Sequence, residues 1–120
     1  MFEIALEPEV EAWLAELPFG QFQRVMAKVD RSLVERGGLP DGDHVKSLRD
    51  GVSELRLPLG ERSWRITFWR PGGRAIVLLA VFAKIRNGPQ HDDVERAVKA
   101  KKTCQLEHDM TVTHVFDRRL

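Results

Sequence analysis

Cysteine is almost missing from this chain: Cys104 stands alone. One thiol excludes an internal disulfide framework and any cysteine-rich zinc site. No apolar run reaches the roughly 18 residues that a membrane helix needs. The opening stretch MFEIALEPEV carries acids early and has no basic n-region, so it does not read as a secretory signal. Internal repeats and low-complexity tracts are missing too. The glycines of GERSWR and PGGR mark turns, and no helix follows them to make a phosphate-cradling loop. Histidine and cysteine spacing suggests no metal, and no Ser-His-Asp set can be defended. The expectation is a cytoplasmic protein with no cofactor, no metal and no membrane contact.

What remains is an ordinary globular composition, with 42% hydrophobic and 31% charged residues in 120. That length suits one domain around one core. The net charge is only +1, but it is unevenly spread. Basic residues outnumber acidic ones between Lys46 and Lys102, while both flanks are acidic or near balance. A basic second half points to a polyanionic partner, either nucleic acid or an acidic protein segment, with a solvated surface as the plain alternative.

Residues 2–6, FEIAL, read as a short strand. Pro8 suits a first helical turn, and Val10, Trp13, Leu14 and Leu17 follow helical spacing over 8–17. Phe22, Val25, Met26, Val29 and Leu33 make a second stripe over about 20–36, ending at Gly37-Gly38. Residues 37–51 read as a loop. The period then becomes two, giving strands at 52–58 and 62–69 and, after the turn signal PGG at 71–73, an apolar strand at 75–84. A last helix covers about 90–102. The expected fold is α+β, in the order β-α-α-β-β-β-α: an antiparallel meander with the two early helices on one face. Residues 1–102 form the domain and 103–120 a tail. Its TVTHVF alternates like a strand, and disorder and pairing with a partner are both open readings.

The strand RSWRITFW carries an arginine among aromatics. With Gly60-Glu61 as a two-residue turn, Arg56 lies directly opposite Arg65 and Glu54 opposite Thr67. Leu57 and Leu55 then meet Trp64 and Ile66 on the other face, as register selection demands. Opposed like charges cost up to about 1 kcal/mol. Two readings account for them: Glu54 bridges the pair, or the pair holds a phosphate, which guanidinium groups bind in bidentate fashion. With Gly72-Gly73 as the next turn, Arg65 faces Ala80, and Phe82 and Lys84 share the arginine face. Arg86 adds charge at the strand end. Lys46 and Arg49 could reach in from the preceding loop, and Phe82 or Trp69 offers a ring on which a base could stack.

KSLRDGVSELRL at 46–57, WRITF at 64–68, IVLLAVFAK at 76–84, then a proline and DDVERAVK at 92–99, together resemble the RelE/HigB superfamily of bacterial toxins. The resemblance is to its phage-derived branch and covers residues 2–102. It implies the RelE-like fold and the toxin half of a type II toxin–antitoxin pair. It also implies cleavage of messenger RNA, often on the ribosome, by a metal-independent endoribonuclease, and an antitoxin with a helix-turn-helix that alone contacts DNA. Carried onto this chain, the family pattern marks Lys46, Arg56, Arg65 and Lys84. Arg65 and Arg56 would clamp the phosphate, while Lys84 and Lys46 position RNA or move a proton. The chain departs from the family at Ile85, where a second basic residue often stands, and in having no tyrosine. His91, at the entry to the last helix, is the stand-in for the missing acid or base, with His44 a weaker alternative. The rival readings are a ParE-like inhibitor that binds DNA gyrase without chemistry, and an inactive prophage remnant.

Overall fold

A computed structural model describes residues 2–41, 44–59, 61–84 and 91–107. Five strands form one sheet in the order β1-β5-β4-β3-β2, with β1 at Glu3–Leu6, β2 at Val45–Ser47, β3 at Ser53–Leu59, β4 at Arg62–Gly72 and β5 at Ala75–Lys84. Helix α1 spans Pro8–Glu16, α2 Phe19–Val29 and α3 His91–Glu107. The α+β class holds, and β2 to β5 form the antiparallel meander. β1 closes the sheet in parallel beside β5. The added strand β2 lies inside the stretch expected to be loop; three residues are too few for a period of two to show in sequence.

Pro8 occupies the first turn of α1, where its missing N–H costs nothing, and Glu9 and Glu11 complement the helix dipole. Helix α2 continues as a π-helical segment over Asp30–Glu35. Gly37 and Gly38 stop it with positive φ angles of 71° and 70°, donating to the carbonyls of Leu33 and Ser32. The two glycines therefore end this helix as expected.

The sheet is covered on both faces. Val10 and Leu14 of α1 and Phe22, Val25 and Val29 of α2 pack on Leu55, Ile66, Phe68 and Leu78. Trp13 and Trp64 meet at 5.3 Å between ring centroids, tilted by 45°. On the opposite face Ala97, Val98 and Cys104 of α3 pack on Ala5, Trp69, Val77 and Leu79. Helix α3 runs five residues beyond the expected Lys102, to Glu107; the TVTHVF stretch lies outside the described residues. No helix among the described residues is long and apolar enough to cross a membrane.

The first hairpin has the expected register: Arg56 pairs with Arg65, Glu54 with Thr67, Leu55 with Ile66 and Leu57 with Trp64. The second does not. Arg65 faces Phe82, Thr67 faces Ala80 and Ser63 faces Lys84. Gly72 pairs with Ala75, so the turn residues are Gly73 and Arg74. Two bulges interrupt the ladder, one extra residue in β4 between Trp69 and Gly72 and one, Leu79, in β5. Pro71 lies in the first of them, where a residue without an N–H is tolerated.

Candidate functional site

Alternation along the strands sets the site. Val45, Leu55 and Ile66 point to α1 and α2, so Lys46, Glu54, Arg56, Arg65 and Thr67 point to the face that α3 partly covers. The site is built in rows across the sheet. One row runs Lys46, Glu54, Thr67, Ala80; the next runs Arg56, Arg65, Phe82; a third holds Ser63 and Lys84. Helix α3 occupies the Trp69 end of this face. The arginine end lies beyond its packing contacts.

Arg65 is the centre of the cluster. Its side chain is only 8% exposed. Its Nη1 donates to Ser63 Oγ at 2.5 Å and to the Trp64 carbonyl at 3.1 Å. Glu54, itself buried, lies with one carboxylate oxygen 3.5 Å from Arg65 Nε and the other 3.9 Å from Arg56 Nε. Both distances are ion-pair distances, longer than hydrogen bonds. Both Nε groups are buried without a hydrogen-bond partner. Burial pushes the Arg65 guanidinium below its ordinary pKa; Glu54 pulls it back up and Arg56 pushes it further down. It stays charged, because arginine is not deprotonated in proteins. The Glu54 bridge read from sequence is therefore present, yet it neutralises one of two charges and satisfies neither Nε.

The other expected residues divide. Lys46 is exposed opposite Glu54, and Lys84 is half-buried opposite Ser63. Phe82 is buried at 8% beside Arg65, so little of its ring is open for a base to stack on. Arg49 is drawn away: it pairs with Asp50 and with Glu95 of α3. Arg86 and the side chain of His91 lie outside the described residues. His44 opposes Arg56, whose N–H bonds the His44 carbonyl at 2.8 Å, but the His44 imidazole turns to Lys28 of α2, with Nδ1 2.6 Å from Nζ.

Ser63 is the participant that sequence reading missed. The signal was available, because a residue two before Arg65 in a strand shares its face. The polar fastening of α3 had no such signal. Arg96 donates to both oxygens of Glu9 and to the Val81 carbonyl, and the Val81 N–H donates to the same carboxylate at 2.9 Å. Those partners are 15 and 87 residues away. Lys101 lies 5.3 Å from the Trp69 ring centroid and donates to the Asp50 carbonyl.

Two opposed guanidinium groups, with a lysine in the row on each side and one shared carboxylate, have the donors that could bind a single anionic group. No curated protein matches the chain. A family model does match, over residues 12–102, which takes in β2 to β5, both arginines and most of α3. The chain belongs to the family of phage-derived Gp49-like proteins.

Proposed function

We propose that this protein is the toxin of a toxin–antitoxin pair and acts as an endoribonuclease on messenger RNA. One observation carries the reading. Arg65 is buried, lies directly opposite Arg56, and has an Nε without a hydrogen-bond partner, and among the described residues only Glu54 is shared between the two guanidinium charges. A fold maintains such a pair at a cost in stability, and an RNA phosphate supplies what the pair lacks. Membership of a phage-derived family and the ordered motifs shared with RelE/HigB toxins support it.

The RNA 2′-hydroxyl attacks the adjacent phosphorus and gives its proton to a water molecule or to a basic group at the site. The O2′–P bond forms and the P–O5′ bond breaks, leaving a 2′,3′-cyclic phosphate and a 5′ oxygen that takes up a proton. Arg65 and Arg56 would hold the phosphate and take up the charge that grows on its oxygens, through donors fixed before the reaction begins. Lys84, two residues beyond Phe82 on β5, would position the RNA or give a proton to the leaving 5′ oxygen. Lys46, on the edge strand, would steer the RNA backbone. The proposed partners are the messenger RNA on the ribosome and an antitoxin whose acidic segment covers the basic row.

The test is induced expression with mapping of transcript 5′ ends, using Arg65→Ala as control. New 5′ ends with the wild type and none with the variant are expected. Growth arrest with intact transcripts would overturn the nuclease reading and favour a contact inhibitor of the gyrase-binding kind. Undiminished toxicity of Arg65→Ala would overturn the site assignment alone.

A further inference from the structure

Among the described residues, Glu54 is the one carboxylate that the register puts among the basic rows, and its position is unusual for a counter-ion. It is nine-tenths buried and stands on the Nε side of both arginines, at 3.5 and 3.9 Å. Nη1 of Arg65 is held by Ser63 and the Trp64 carbonyl. The terminal nitrogens of Arg56, whose side chain is 32% exposed, make no hydrogen bond with a described residue. An incoming anion can therefore take the open end of the Arg56 fork while Glu54 stays where it is. The triad that this anion meets, with Arg65 and Glu54 buried and Arg56 32% exposed, carries two positive charges and one negative. Lys46, exposed, and Lys84, half-buried, stand in the neighbouring rows.

A singly charged anion brings the triad to neutrality. A doubly charged one leaves an excess negative charge beside a buried carboxylate, and the cost of withdrawing an ion from water grows steeply with its charge. We propose that Glu54 is a charge selector: it matches the arginine pair to a phosphodiester, which carries one charge, and disfavours a terminal phosphomonoester, which carries two. This deepens the RNA-cleaving reading and rests on it. It accounts for how the site would choose an internal linkage over a chain end that bears a monoester.

The probes are 2′-deoxyuridine 3′-phosphate and its methyl ester, which share one nucleoside and differ by one charge. Neither has a 2′-hydroxyl, so neither is cleaved. At about pH 7.5 the monoester is well above its second pKa of about 6. Binding is followed through the arginine Nε–H resonances in nitrogen-15 spectra. For the wild type we expect the methyl ester to bind about tenfold more tightly. Glu54→Gln should remove that preference by tightening the monoester, while Glu54→Asp, which keeps the charge, should retain it. A wild type that binds the monoester as well as the diester would overturn the proposal, whether or not Glu54→Gln folds. So would an unchanged preference in folded Glu54→Gln. If neither ester shifts the arginine resonances, the phosphate site itself is refuted, and the selector with it.

Discussion

At the scale of single residues, the site is an exercise in incomplete neutralisation. Removing Glu54 leaves Arg65, 8% exposed, with no ion-pair partner among the described residues. Glu54→Ala should therefore cost about 3–5 kcal/mol of stability, measured by denaturant unfolding. A second buried group works through pH. Burial, helped by the charge of Glu7, raises the Cys104 thiol above its ordinary 9.0. A raised folded pKa means that the unfolded thiol ionises first. Its contribution is complete below about pH 9 and is lost as pH climbs towards the folded value. Lys28 runs the other way, since desolvation lowers it and stability is gained as pH rises towards 10.5. The difference between wild type and Cys104→Ala isolates the thiol. It should shrink as pH rises beyond about 9 in unfolding experiments. The arginine pair was legible in the sequence because a two-residue turn fixes its opposite number. The half-satisfied state of the pair was not, because it depends on how deep Glu54 and Arg65 lie.

At the scale of elements, steric fit and polar fastening separate cleanly. Gly38 stops the helical run at a φ of 70°, and a Cβ there would come within 2.6 Å of the Phe68 ring, which is fully buried. Gly38→Ala should cost about 2 kcal/mol or more, read by thermal unfolding, since neither the backbone nor the ring can yield freely. Helix α3 is different. Few apolar residues hold it, and Arg96 and Glu9, both close to half exposed, fasten it to the sheet. Exposed ion pairs contribute little to global stability. Arg96→Ala should lower it by about 1 kcal/mol at most, yet speed hydrogen exchange at the Val81 amide, whose acceptor loses its tether. Helical stripes and turn glycines showed the elements and their inner faces in advance. The second hairpin could not be read that way, because a bulge is one residue too many and leaves the composition of a strand unchanged.

At the scale of the whole molecule, four basic residues of the second half, Lys46, Arg56, Arg65 and Lys84, come together on the α3 side of the sheet. If the Arg56–Arg65 pair takes one phosphate and Lys46 and Lys84 one each, the affinity for a single-stranded RNA should fall with salt at a log–log slope of roughly −2. Lys46→Ala should reduce that slope by about 0.7, in anisotropy titrations over a range of potassium chloride. The register of β5 shifts at Leu79. Before it, Ile76 and Leu78 point to α1 and α2; after it, that role passes to Val81, and Phe82 and Lys84 come round to the arginines. Leu79 acts as a phase shifter in a two-beat rhythm. Deleting Leu79 would close the bulge and leave Val81 facing the helices and Lys84 beside the arginines; one residue inserted between Phe82 and Lys84 would instead turn Lys84 to the helix side. The basic row can thus lose a member by a change of count alone, with every basic residue still present.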